Sequence, residues 1–267
     1  MMRSAVGIAR QAFQGTDKGD GSKKGKVALS LGAYGATMVP SQEYSGKYDA
    51  EHVTVEQLAA WHRKRIGVFF EGEGGKCWEE VDYVAFETVP RIEEVWAVRE
   101  VMGDVNSVVG KEGESGFWIS CVFPGEGSML PDGSSVQDVV KAMLGREGGA
   151  VPMGVGINCT KIGKVEGLIS EFEGAIEEMV QSGQVAEWPS LAIYPDGTNG
   201  EVYNTITKEW ENKDGVEQVG SWDESLFVIV RRAQERACWK SIFVGGCCKS
   251  APDDIARLRR RIDAART

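Results

Sequence analysis

Three features able to do chemistry fall at the C-terminal ends of strand-like runs: Glu87, Cys159 and the adjacent pair Cys247 and Cys248. In barrels and open α/β sheets that edge is where sites assemble, because loops from separate strands meet there. Adjacent cysteines on a regular strand point to opposite faces. Gly245 and Gly246, just before the pair, are expected to let the backbone turn sharply. Both sulfurs could then reach one Zn²⁺ at about 2.3 Å, with Cys159 as a third ligand. The chain has 2 histidines, His52 and His62, both in a helix-period segment, so a zinc site here would be rich in thiolates. Three protein ligands leave one tetrahedral position open, the pattern of a catalytic site rather than a structural one. Zinc deprotonates a bound thiol, whereas a free thiol with a pKa of about 8.5 is mostly protonated at neutral pH. Three thiolates weaken the metal as an acid for water but keep a substrate thiolate nucleophilic, which suits thiol alkylation. Glu87 could grip the ammonium group of an amino-acid substrate through a charge-assisted hydrogen bond.

Plainer readings stand beside these. Cys77, Cys121 and Cys238 read as small packed hydrophobes, and on pattern alone the other three cysteines stay open to the same reading. Glu87, just before Thr88 and Pro90, could instead cap the following helix. Gly32 and Gly35 are expected to serve a tight turn, and Trp61, Trp96 and Trp188 to pack against a sheet.

These residues sit within a repeating strand, turn and helix theme. Strands are expected at 26–31, 81–86, 117–123, 152–158, 190–194 and 241–244, apolar on both faces as in covered parallel sheets. Between them apolar residues recur at helical spacing: Val55, Leu58, Ala59, Ile66 and Phe69; Ile92, Val95, Trp96 and Met102; Val136, Val139, Val140 and Met143; Leu168, Phe172, Ile176 and Met179. Pro90 and Pro252 lie near helix starts, and Ser134 or Ser135 is placed to cap a helix. Residues 1–14 read as an amphipathic helix, and 14–25, 71–75 and 110–116 as polar Gly-rich loops. The pattern specifies an α/β fold with a parallel sheet in a single domain, 1–267. Six units fall short of the eight that close a (β/α)8 barrel, although the length is near the typical ~250 residues.

With 40 acidic and 30 basic residues the net charge is -10, which argues against phosphate backbones as partners. Arg257, Arg259, Arg260 and Arg261 form a basic cluster that reads as a solvated helix face. No run reaches the ~20 apolar residues of a membrane span, and the N-terminus lacks the apolar core of a signal peptide. Six cysteines without such a signal imply reduced thiols and a cytoplasmic protein, with the Asn158-Cys159-Thr160 glycosylation pattern accidental.

The segments Gly156-Ile157-Asn158-Cys159 and Gly245-Gly246-Cys247-Cys248, the latter followed by Pro252, Ile255 and Leu258, resemble the two zinc motifs of the homocysteine S-methyltransferase family. Gly32 to Ala36, Phe86-Glu87-Thr88-Val89-Pro90 and Leu130-Pro131-Asp132-Gly133 resemble further segments of that family in the same order. The resemblance covers nearly the whole chain. It implies a TIM-barrel (β/α)8 fold, Zn²⁺ on Cys159, Cys247 and Cys248, and Glu87 on the homocysteine amine. It also implies methyl transfer from a sulfonium donor, S-methylmethionine or S-adenosylmethionine, to homocysteine, giving methionine. A betaine-type donor is the alternative, though that branch is less similar in its loops. Two family features do not appear: an opening strand ending in an Asp-Gly-Gly-like turn, and a second strand ending in an Asn-Thr-Tyr-like segment. The expectation is therefore an incomplete barrel of about six units, lacking the first two strands, with the strands at Lys26 and Ser241 as open edges. A non-catalytic remnant of the family is the competing expectation.

Overall fold

A computed structural model describes residues 2–14, 25–70, 75–110, 115–198, 201–204, 206–212 and 220–265. Most of the three Gly-rich loops expected near 14–25, 71–75 and 110–116 lies outside the described residues. Helix α1 (Met2–Gln14) leads into β1 (Ala28–Gly32), a 3-10 turn (Tyr34–Thr37) and α2 (Val55–Phe70). The short α3 (Gly75–Trp78), β2 (Tyr83–Val89), α4 (Ile92–Val109), β3 (Gly116–Cys121), α5 (Val136–Leu144), β4 (Gly154–Asn158), α6 (Ile162–Gln181) and β5 (Ser190–Tyr194) follow. A hairpin of β6 (Glu201–Asn204) and β7 (Glu209–Asn212) precedes α7 (Trp222–Arg236), β8 (Ile242–Val244) and α8 (Pro252–Ala264).

All six strands expected from the sequence form one parallel sheet in the order β1-β2-β3-β4-β5-β8. Period-2 alternation divides its residues between two faces. Val84, Phe86, Ile119, Ile157 and Ile193 belong to the large core beneath the helices. Ala85, Trp118 and Ala192, with Tyr83, Tyr194 and Phe243, form a separate cluster on the other face.

That second face is concave. At about 4.8 Å per strand, a flat sheet would hold β3 and β8 roughly 14 Å apart and β2 and β8 roughly 19 Å apart. Yet the rings of Trp118 and Phe243 stack at 5.4 Å, and those of Tyr83 and Phe243 meet edge-on at 5.7 Å. The sheet therefore curls as a barrel wall does, and the fold is a partial (β/α)8 barrel with six strands. Among the described residues β1 and β8 do not pair with each other.

Helix α5 starts at Ser135, whose hydroxyl accepts from Asp138 N in a capping box, and Pro252 opens α8. Trp61, Trp96 and Trp188 pack against the core, and Cys121 lies fully inside it. Cys77 and Cys238 are only half-buried. The tight turn expected at Gly32 and Gly35 is present as the 3-10 turn after β1, but it does not use glycine's φ freedom. Neither Gly32 nor Gly35 is left-handed, and a Cβ on Gly35 would come within 2.7 Å of the Gln42 carbonyl carbon. Gly35 is there for close backbone approach, because the 38–48 loop folds back over it. That loop is held by the fully buried Glu94 carboxylate, which accepts from Tyr34 N at 2.7 Å and Tyr48 Oη at 2.5 Å. His62 Nε2 contacts the same carboxylate at 2.8 Å.

Candidate metal centre

The sulfurs of Cys159, Cys247 and Cys248 lie within 4.8 Å of one another at the C-terminal edge of the sheet. Cys159 follows β4 in a left-handed conformation (φ 46°) that a residue with a Cβ rarely adopts. Its amide donates to Tyr194 O at 3.2 Å, so β5 fixes the bend. Cys247 and Cys248 follow β8, pinned to the chain after β5 by Cys247 N to Pro195 O at 2.9 Å and Gly197 N to Cys248 O at 2.7 Å. The turn there is not made by glycine φ freedom, as the sequence suggested. Gly245 and Gly246 avoid the left-handed region, and Lys249 adopts it instead (φ 60°). Gly246 is required because a Cβ would strike the Ser250 side chain.

The expectation of reduced thiols is not what the structure holds for one pair, since Cys159 and Cys247 form a disulfide. Converging side chains placed the two sulfurs in bonding contact; metal binding requires them as separate thiolates. Cys248 Sγ is 3.9 Å from Cys159 Sγ. Tetrahedral zinc with bonds of about 2.3 Å separates its sulfurs by about 3.8 Å, so this spacing suits a shared ion. The three cysteines could hold a metal ion once reduced, and an all-sulfur donor set favours a soft or borderline one.

Polar neighbours orient the sulfurs. Asn158, fully buried, lies 4.0 Å from Cys247 Sγ through Nδ2 and donates to Thr88 Oγ1 at 2.8 Å. Its Oδ1 accepts from Thr88 N at 2.8 Å, bracing a β-branched residue in the left-handed region (φ 58°). Tyr44 Oη is 3.8 Å from Cys248 Sγ. Burial, then the nearby Cys248, push the Tyr44 phenol far above its ordinary value, so it remains a donor at neutral pH. Burial raises the Cys248 thiol, and the Tyr44 bond opposes that rise.

Beside the sulfurs opens a cleft of about 390 Å³. Cys159, Cys248, Tyr44, Lys161 and Asp196 form its floor and one wall; Glu201, Tyr203, Ile206 and Trp210 of the hairpin form the other. Asp196 accepts from Thr198 Oγ1 at 2.8 Å, and burial raises its carboxyl. Lys249 pairs with Glu201, its ammonium 5.0 Å from the centre of the Trp210 ring.

Glu87 is half-buried on the concave face, and is not among the residues lining this cleft. The Ser30 hydroxyl donates to it, and Tyr194 is a second partner. Burial raises its carboxyl, against the pull of those bonds. It does not cap α4, since Ile92 N at that helix start donates to Asp132 Oδ2 at 2.6 Å. Glu87 reaches the sulfur cluster through its neighbour Thr88 and Asn158. The sequence reading missed Asn158, Tyr44, Asp196 and the hairpin as parts of the site. The available signal for the hairpin was weak, the aromatic residues Tyr203 and Trp210 standing within a short polar stretch.

The family model for homocysteine S-methyltransferase matches residues 1–262. The chain is 31% identical over 234 residues to "Homocysteine S-methyltransferase 1" of Zea mays, covering 88% of this chain and 60% of that protein. It is 31% identical over 238 residues to "Homocysteine S-methyltransferase 2" of Arabidopsis thaliana, covering 88% and 59%. Against "Selenocysteine Se-methyltransferase" of Brassica oleracea var. italica it is 29% identical over 277 residues, covering 100% and 68%. The chain thus spans about 60% of the first two relatives' length. Matching family profile, partial barrel and cysteine trio agree: the chain belongs to the homocysteine S-methyltransferase family.

Proposed function

We propose that this chain transfers a methyl group from a sulfonium donor, S-methylmethionine or S-adenosylmethionine, to the thiol of homocysteine, giving methionine. The convergence of Cys159, Cys247 and Cys248 beside an aromatic cleft supports this reading above any other observation. The reduced cysteines would hold Zn²⁺, which when bound keeps an acceptor thiol deprotonated at neutral pH. Glu87, through its carboxylate, would take the acceptor's ammonium group. Asn158 holds Thr88, and with it the end of β2, in register with Cys247, so that acceptor grip and metal ligands keep one geometry. Tyr44 aligns the Cys248 sulfur. The cleft's apolar surface excludes water that would otherwise solvate the acceptor thiolate. As the new carbon–sulfur bond forms, the donor's bond breaks and its electron pair stays on the departing thioether. That product is neutral, so no side chain need protonate it.

Zinc content and methionine formation from homocysteine plus S-methylmethionine, measured on reduced protein, test the proposal. Cys247→Ser is expected to lose both; a variant keeping both zinc and turnover would sink it. Selenocysteine in the name of the Brassica oleracea relative makes a selenol acceptor a second reading, resolved by running both acceptors in competition.

A further inference from the structure

The hairpin wall of the cleft carries a feature that methyl transfer alone does not require. Trp210 and Glu201 present an aromatic face and a carboxylate to one point, and Lys249 places its own ammonium there, 5.0 Å from the ring centre. Lys249 directly follows Cys248, so this point adjoins the proposed metal ligands. Tyr203 packs on Trp210 with ring centres 5.2 Å apart and extends the aromatic surface. Asp196 adds a second carboxylate to the same cleft. A ring face and a carboxylate together recognise a cation whose charge is spread over methyl groups, and do so better than they recognise a neutral molecule.

We propose that Trp210 and Glu201 form an onium subsite for the methyl donor, and that Lys249 is its resident occupant, displaced when the donor's cationic centre enters. This rests on the sulfonium-donor reading above. The exchange swaps one cation for another, so the corner never carries an uncompensated carboxylate. It also favours donors with a fixed positive charge, because a neutral donor would leave Lys249 in place and find the corner filled.

The probe is tetramethylammonium, which carries the charge but is a poor methyl donor; binding to the purified, reduced full chain is followed by saturation transfer to its methyl protons. Trp210→Leu and Glu201→Gln should each weaken binding by about ten-fold, with Trp210→Phe intermediate because it keeps a ring. Lys249→Met, which keeps the stem and removes the competitor, should tighten binding several-fold. 3,3-Dimethyl-1-butanol, a neutral mimic of similar shape, should bind much more weakly than the cation. The proposal is overturned if Lys249→Met weakens binding or leaves it unchanged. It is equally overturned if both Trp210 variants bind as the parent does, or if the neutral mimic binds equally well. Methionine formation with a donor KM unaffected by Trp210→Leu would remove the subsite and leave the function standing. Tetramethylammonium binding as described, without methionine formation from any sulfonium, would remove the function and leave the subsite.

Discussion

Asn158 divides one amide between two neighbours, accepting from the Thr88 backbone and turning its amino group toward Thr88 Oγ1 and Cys247 Sγ. Replacing it with Leu would leave a buried N–H without an acceptor, costing about 1–3 kcal/mol in urea unfolding. The same change should weaken zinc affinity by roughly ten-fold or more, as loss of partners behind metal ligands does; a chelator competition would read it. Tyr44→Phe removes only the donor to Cys248. It should lower zinc affinity less than Asn158→Leu while leaving the unfolding midpoint nearly unchanged. Cysteine and glutamate stand out in a sequence because their chemistry is written in the residue type. Asn158 and Tyr44 do not, because their contribution lies in a direction across strands 70 or more positions apart.

Elements bring those directions about, and some are sensitive to a single atom. Gly35→Ala would push a methyl into the backbone at Gln42 and Glu43, displacing the loop that carries Tyr44. We expect a loss of about 1–3 kcal/mol, as for overpacking elsewhere, together with weaker zinc binding than in Tyr44→Phe. Between α7 and α8, Asp223 is fully buried and bonded to Arg257 and Arg261. Burial raises its carboxyl, but the hydrogen bonds from Arg261 and Arg257 outweigh that and bring it down to about 2. A carboxyl lowered in the folded state stabilises above its unfolded value of about 3.9 and loses that contribution as pH falls toward 2. Acid unfolding should therefore steepen between pH 4 and 2, and Asp223→Asn should flatten that limb. The strands of the sheet were readable because buried parallel strands are apolar throughout. The β6–β7 hairpin was not, since four-residue strands in a polar stretch offer too little periodicity to separate from loop. The basic run near the C-terminus read correctly as helix surface, but its docking onto Asp223 depends on a carboxylate more than thirty positions away.

Across the whole molecule, the curved sheet brings Trp118, Tyr83 and Phe243 together on its concave face. Trp118→Ala should cost about 3–5 kcal/mol, read as a fall in melting temperature. Among the described residues β1 and β8 pair with no strand on their outer sides, which leaves each a backbone ladder that a further strand can join. Sedimentation at rising protein concentration should show self-association if those edges are free. The parallel α/β class was legible from the alternation of elements, whereas the strand count fell short of a barrel and only the family resemblance implied one; the curl shows in ring contacts between strands far apart in sequence. The cysteines come from β4 and β8, separated by 88 positions, and β5 lies between those strands in the sheet. A ligand set divided in this way does not exist until β5 has been inserted and β8 has zipped onto it. If the trio binds Zn²⁺ as proposed, metal loading would be the final event of maturation, and the ion would act as a rivet that records completed assembly and resists its reversal.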